Sequence, residues 1–544
     1  MSNLNRRSFI QYAAVGLAAA KTTYLNAEEH VMTDQPPSNA PRDTDVLVYG
    51  STPGGVGAAV EAARRGERVV LACPKRHPGG MTASGLCTTD AVRRHLFGGF
   101  VEEVISLIRT HYLDVLGADH PEWELCRDGW FYEPSVAEAA FREAIERQEK
   151  LEWLPGHWLT AARVDGSRVT SVTLHDAQER EVCVTARTFI DCSYEGDLAA
   201  RAGVPCRVGR EGREEFGESL AGIHYMNWRT GQEIETPQSG EPSIGIQAYC
   251  ARGIVTDDPK HRIPIEKPRT YDQHFQDYAP LINDFKTGRV TKLSRILPTR
   301  RMPHNRFEVN GNIEELTSAN CPGVSWAWPE ADRHMRAELD RFHIDHAAGL
   351  WYFMQHDPHV PEDIAANARR FGLHGEEFVD NGHWPWQIYV RQARRIKGRK
   401  ILTQHSFTVD PKTGRTPQVP YPIALGEYSF DVHPCHDRRW VVDGFMEGVL
   451  WYPRKAEGPA RPGQIPYGAM LPKRLDNLLV PVALSCTHIA MSVLRMEPVW
   501  MTTGQVAGLA AATAHEQRLD VANIDPTPLS KELGILTEPT ARVS

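Results

Sequence analysis

The sequence predicts an α/β protein: a parallel βαβ sheet with inserted antiparallel strands, joined to a second domain. Three observations predict it. Asp45-Val46-Leu47-Val48-Tyr49 is an apolar run of the kind found inside a parallel sheet, and the glycine turn Gly50-Ser51-Thr52-Pro53-Gly54-Gly55 follows at once. Val56 to Arg65 is small and apolar on one side, as a helix pressed on a sheet should be; after Gly66, Val69-Val70-Leu71 makes a second strand. Further on, Leu159 to Val164, Val169 to Leu174 and Val182 to Ala186 alternate, with Asp165-Gly166-Ser167 as a turn, and read as inserted antiparallel strands.

A strand, a glycine turn and a helix N-terminus make a dinucleotide cradle, because helix-end amides hold a pyrophosphate. Read as G-x-G-x-x-G, the key positions are Gly50, Thr52 and Gly55, so threonine replaces the middle glycine. Pro53 and Gly54 complete the turn. The acid expected about 20 residues on, to hold a ribose hydroxyl, falls on Cys73.

A second glycine-rich loop follows soon after the second strand: Gly79-Gly80-Met81-Thr82-Ala83-Ser84-Gly85-Leu86, ending in Thr89-Asp90. Close backbone approach to a flat ring needs residues without bulk, hence the glycines. With both loops present, the stretch resembles the FAD-dependent oxidoreductase family of bacterial flavoproteins. Its members carry a YGxTxxGxxAA turn and a GGMxxSGLxxTD loop, with glutamate where Cys73 stands here. The resemblance implies an FAD-binding Rossmann-like domain of glutathione-reductase type, with a second substrate or cap domain. It extends to Phe189 to Ala199, where relatives have an (I/V)DATGxGD stretch and this chain keeps Asp191, Gly196 and Asp197. It returns in Asp476 to Val480, Ser485-Cys486-Thr487-His488, Arg495-Met496-Glu497-Pro498 and Gly504-Gln505-Val506-Ala507-Gly508. In relatives the last of these begins a helix whose N-terminus faces the flavin pyrimidine edge. The resemblance therefore implies FAD contacts from Gly50, Thr52, Pro53, Gly54, Gly55, Cys73, Gly79, Gly80, Met81, Thr82, Gly85, Leu86, Asp191, Asp197, Gly504, Gln505 and Ala507.

Composition bounds the rest. The 544 residues are 24% charged and 41% hydrophobic, with a net charge of −8, and no basic block points to nucleic acid. No apolar run reaches the roughly 18 residues that would span a bilayer. Asn5-Arg6-Arg7-Ser8-Phe9-Ile10-Gln11, before the weakly hydrophobic Tyr12 to Ala20, reads as a twin-arginine signal, cleaved after Ala20 or Ala27. That predicts a periplasmic or other extracytoplasmic location. The ten cysteines form no CxxC and read as free thiols. The expected organisation is signal and linker over 1–42, the first part of the FAD domain over 43–205, a substrate or cap domain over 206–385, a return to the FAD domain over 386–520, and a tail over 521–544. The cap region holds Trp228, Trp326, Trp328, Trp351, Trp384 and Trp386, which could stack on sugar rings. Glu330 to Phe353 is its clearest helix. Glu330, His334 and His343 lack an i, i+4 histidine pair, so no metal site is expected.

Oxidising an alcohol by hydride transfer needs a base for the hydroxyl proton. His488, just past the terminal strand, is the first candidate, with His433 and His436 behind it. Arg495 and Glu497 flank the final helix entry, where a fixed cation could hold an oxyanion or a substrate carboxylate; Arg391, in the cationic segment Ile388 to Gly398, could do likewise. His77, just before the second loop, invites a covalent flavin link. The expected function is an exported FAD-dependent oxidoreductase, dehydrogenating a small sugar- or polyol-like substrate and passing electrons to an acceptor the sequence does not name. The alternatives are a carbohydrate lyase or hydrolase with a tightly held dinucleotide, and a flavin-free binding protein.

Overall fold

Five parallel strands form the central sheet of this computed structural model, in the order Leu478–Leu479, Thr188–Asp191, Val46–Tyr49, Val69–Cys73, Leu151–Pro155. The structure describes residues 42–538 except 228, 229, 314, 316, 438, 439, 443 and 452–461. The twin-arginine stretch and Trp228 lie outside the described residues. Val46 to Tyr49 are at most 2% exposed, because a strand covered on both faces must be apolar throughout. From Tyr49 the chain crosses to Val69–Cys73 on one side and returns to Thr188–Asp191 on the other. The carboxyl end of Val46–Tyr49 is therefore where the strand order reverses, and ligands of open α/β sheets bind in the crevice there.

The crossover helix is Pro53–Arg64. Proline suits its first position, and the Thr52 hydroxyl caps it by accepting from the Gly55 N–H at 3.1 Å. The last long helix, Glu497–Gln517, lies along it. At their crossing a Cβ on Gly504 would overlap the Gly54 carbonyl oxygen, and one on Gly508 the Ala58 carbonyl oxygen. This corrects one expectation. The helix begins at Glu497, about two turns before Gly504, so Gly504 to Gly508 form a packing seam rather than a helix N-terminus.

The inserted antiparallel strands are Trp158–Asp165, Arg168–His175 and Glu181–Thr185, with Arg42–Asp43 added in parallel at the edge. A second five-stranded sheet pairs Arg262–Ile263, Gly372–His374, Ile254–Thr256, Phe307–Val309 and Thr299–Arg301, all antiparallel. The helices Tyr271–Tyr278 and Arg333–His356 pack beside it around their own core of Tyr278, Leu281, Leu350, Trp351 and Phe353. The cationic segment Ile388 to Gly398 is mostly irregular. Within it Arg395–Ile396 pairs with Cys206–Arg207, and Gly398 forms a single bridge with Pro472. Its backbone is claimed by distant partners, such as the Tyr389 N–H by the Cys250 carbonyl, which overrides local propensity.

Candidate active site

The glycine turn is closed by other parts of the chain. Gly50 has φ +103°, and a Cβ there would lie 2.7 Å from the Cys192 carbonyl carbon; one on Gly54 would lie 2.7 Å from the Trp500 oxygen. Thr52 earns its place by bonding: besides capping the helix, its hydroxyl donates to the Cys192 carbonyl at 2.8 Å. Cys73 ends its strand buried, with the Lys75 N–H 3.4 Å from its sulfur, and burial pushes its thiol up. A neutral thiol cannot replace a carboxylate that accepts from two ribose hydroxyls.

Two carboxylates expected at the cofactor are engaged elsewhere. Asp191 accepts from the Ser193 N–H and hydroxyl at 3.1 and 2.7 Å and from the Ala199 N–H at 2.8 Å; burial raises its carboxyl to about 7. Asp197 is held by both terminal nitrogens of Arg336, at 2.6 and 2.8 Å, and by Arg394 at 3.0 Å. Burial alone would raise it, but the two arginines outweigh burial and hold it below the usual carboxylate range. Both acids shape the turn that follows Thr188–Asp191 instead of presenting a free oxygen. Gln505 is also corrected: its carbonyl accepts from the Phe100 N–H at 2.8 Å and its amide donates to Glu61 at 3.0 Å, so it locks three helices together. Ala507 is fully buried in the same seam.

The second loop differs from its expectation in what its glycines face. Gly79, Gly80 and Gly85 have φ of +93°, +48° and +92°. Cβ atoms there would overlap the Phe141 ring, the Tyr194 hydroxyl and the Arg252 carbonyl oxygen, so protein groups already occupy that side. The Met81 N–H donates to the Tyr194 hydroxyl at 2.9 Å, which donates to Glu497 at 2.7 Å. This relay ties the loop to the last helix. Met81 and Leu86 are each 1% exposed in the core, while the Thr82 hydroxyl is buried without a protein partner. Burial pushes the Glu497 carboxyl up to about 8, so it is neutral at pH 7 and cannot serve as a fixed charge.

Past this loop the chain builds a cationic centre around Tyr389. Arg252 and Arg391 lie over the Tyr389 ring, 4.2 and 4.7 Å from its centroid, and an Arg495 terminal nitrogen is 3.4 Å from its hydroxyl. All three arginines are at most 5% exposed, and each has a buried Nε with no partner. Arg495 is paired with Asp431 at 2.9 Å. Among the described residues no carboxylate lies within 4.0 Å of Arg252 or Arg391. Arg391 instead donates to the Ala248 carbonyl and toward the Cys250 sulfur. Asp90, Glu308 and Asp431 stand around the group, each raised by burial against the pull of arginines that include Arg252. Arg252 was not legible in the sequence, since nothing marks a lone arginine in a region without periodicity.

The histidine candidates separate. His488 is buried away from this centre: its ring bonds Gln392 at 2.7 Å and its backbone N–H bonds Glu211 at 2.8 Å. Burial, then Arg210 and Arg395, push it well below its usual value. His433 is the one at the cationic centre. Burial, then Arg391, Arg495 and Arg252, hold it well below its usual value, so it is a neutral imidazole. Asn320 donates to its Nδ1 at 3.2 Å, and its Nε2 lies 3.8 Å from Asp431. His436 instead packs edge-on against Trp326. His77 has Nδ1 on Glu138 at 3.0 Å and Nε2 on Asp380 at 2.8 Å, and it stacks on Trp386; with both nitrogens engaged, neither is presented for a covalent link.

The model of the FAD dependent oxidoreductase family matches residues 45–533, and the chain belongs to that family. It is an FAD-dependent oxidoreductase, and FAD is its cofactor. No curated protein matches it. Among solved structures it is similar to the myxobacterial chondrochloren halogenase CndH, at 16% identity over 41% of this chain and 46% of that one, TM-score 0.24. It is also similar to a triple mutant of the flavin-dependent brominase Bmp2, at 12% identity over 90% and 84%, TM-score 0.35. A third is the glycerol-3-phosphate dehydrogenase from Bacillus halodurans complexed with FAD, at 12% over 39% and 40%, TM-score 0.22. The chain spans less than half the length of the first and last of these.

The residues at the crevice fit the cofactor. In the first turn of Pro53–Arg64 the Gly55 and Val56 amides are taken by Thr52, which leaves the Gly54 amide to face a pyrophosphate, and the buried Thr82 hydroxyl lacks a protein partner in the neighbouring loop. Gly50 to Gly55 and Thr82 are the groups that would hold it. Cys73 leaves the ribose to hydrogen-bond elsewhere.

Proposed function

We propose that this enzyme dehydrogenates a small hydroxylated substrate that carries a carboxylate, outside the cytoplasm, after export by the twin-arginine route. The observation that supports the substrate class is the cluster of Arg252, Arg391 and Arg495 around Tyr389. A buried guanidinium Nε without a partner is costly, and a bound carboxylate offsets that cost by accepting from it. FAD, when bound, supplies the hydride acceptor. The arginines orient the carboxylate; with its Nδ1 taken by Asn320, neutral His433 can only donate, from its Nε2–H, and the neighbouring Asp431, whose Oδ1 is buried without a partner, receives the hydroxyl proton. The tryptophans favour a sugar ring less than the sequence suggested, because Trp328 and Trp351 are 2% and 1% exposed, in the two cores. Export is supported by Arg6-Arg7 and by the route's tolerance of folded, cofactor-loaded proteins.

Anaerobic bleaching of the flavin-loaded full chain tests the substrate class. Small hydroxy acids should bleach it and uncharged polyols should not, and Arg252→Met should raise the hydroxy-acid KM at least tenfold. Bleaching by polyols alone, or unsaturated products without bleaching, would overturn the reading; the second result would favour the lyase alternative.

A further inference from the structure

Away from the flavin side, the second domain brings two histidines and an aspartate from two helices to one point. His274 and Asp277 are three residues apart on Tyr271–Tyr278, so they share a face, and His346 reaches them from Arg333–His356. The His274 Nδ1 lies 3.6 Å from an Asp277 carboxylate oxygen, and the His346 Nδ1 lies 4.0 Å from the same oxygen. All three ligand atoms fall within 4.8 Å of one another. The two separations to the carboxylate are too long for hydrogen bonds.

The His346 ring shows what the group is arranged to do. Its Nε2 lies 2.9 Å from the Ser318 carbonyl, which can only accept, so Nε2 carries the proton. The Nδ1 of the neutral ring is then a bare lone pair. It is buried, has no partner, and points at Asp277 and His274. A metal-ligating histidine characteristically donates its other N–H to a backbone carbonyl in this way. His274 and His346 are 2% and 4% exposed, whereas the Asp277 side chain is about half exposed at 47%.

We propose that His274, Asp277 and His346 form a three-ligand site for a divalent transition metal, with zinc the best fit. Two imidazoles with one carboxylate suit zinc and exclude magnesium and calcium, which need oxygen ligands. Two ligand atoms at about 2.0–2.1 Å from a tetrahedral ion lie about 3.3 Å apart, so closure takes movements of a few tenths of an ångström to somewhat more. The metal clamps the short helix to the long one. It also fixes the segment from Ser318, which holds His346, to Asn320, which holds His433.

The test uses the flavin-loaded full chain, stripped with a chelator and titrated with Zn2+ or Co2+. One equivalent should bind, and Co2+ should give the visible bands of a tetrahedral site. Asp277→Asn, at a half-exposed position that leaves the cores untouched, should weaken binding at least tenfold; His346→Gln should abolish the cobalt bands. The variant His261→Ala removes the other grouping of possible ligands, His261 with His374 and Glu376, and should leave binding unchanged. Absence of a stoichiometric metal in the wild type would overturn the proposal. So would binding that persists in Asp277→Asn and His346→Gln, or that disappears in His261→Ala.

Discussion

Glu497→Gln isolates the buried carboxyl that joins the second glycine loop to the last helix. Glu497 is 1% exposed, and its single hydrogen bond comes from Tyr194 at 2.7 Å; its other oxygen has no partner. Burial moves its carboxyl from 4.5 to about 8, with the Tyr194 bond pulling the other way. At about 1.4 kcal/mol per pH unit, ionising it in the fold costs about 5 kcal/mol more than in the unfolded chain. A raised carboxyl favours the fold fully only below pH 4.5, and the advantage is lost as pH rises through 8. The loss amounts to about 2 kcal/mol by pH 6 and nearly 5 kcal/mol by pH 9. Glutamine keeps the acceptor for Tyr194 and cannot ionise. The Gln variant should therefore gain about 2.5–3 kcal/mol on the wild type between pH 6 and pH 9. Urea unfolding of both proteins across that range, followed by tryptophan fluorescence, reads the difference directly, because every other titrating group cancels. A gap that stays constant within about 0.5 kcal/mol from pH 6 to 9 would refute the reasoning.

Two further substitutions probe the frame around the crevice. Gly504→Ala puts a methyl group into the Gly54 carbonyl at the helix crossing; the neighbour is backbone and cannot rotate away, so a loss near the upper end of about 1–3 kcal/mol is expected, with faster FAD release. Unchanged urea midpoint and flavin retention would show that the helices do not meet as described. Asp197→Asn leaves Arg336 and Arg394 facing an amide and should cost about 3–5 kcal/mol at pH 7. Because the folded Asp197 carboxyl lies below its ordinary 3.8, its contribution is present above that value and lost as pH falls below it, so the gap between variant and wild type should close toward acid pH. Equal unfolding midpoints at pH 7 would contradict it.

Local chemistry made much of the fold legible in the sequence. The apolar run Val46 to Tyr49, the small-residue helix read from Val56 and the Asp165-Gly166-Ser167 turn each announce themselves within a few residues, because strand burial, helix periodicity and turn geometry are short-range constraints, although the helix starts three residues earlier, at Pro53. The family was legible for the same reason: the stretches that carry the resemblance are each contiguous. Side-chain roles were not. Asp191, Asp197 and Gln505 sit in stretches that carry the resemblance, yet their bonding is decided by Ala199, by Arg336 and by Phe100 and Glu61. His488 stood where a base was wanted, but its ring turns to Gln392, while His433 lies among the arginines.

What the sequence by itself determined is the class of machine, an α/β FAD enzyme whose glycine turns must pack without side chains. What only the tertiary structure decided is which groups meet. Arg252, Arg391 and Arg495 are separated by more than a hundred residues at each extreme and share no pattern, yet they converge on one tyrosine. His274 and His346 likewise come from different helices. Periodicity reports which face of an element is buried; it carries no information about what lies across the interface, and the chemistry of this protein is made there.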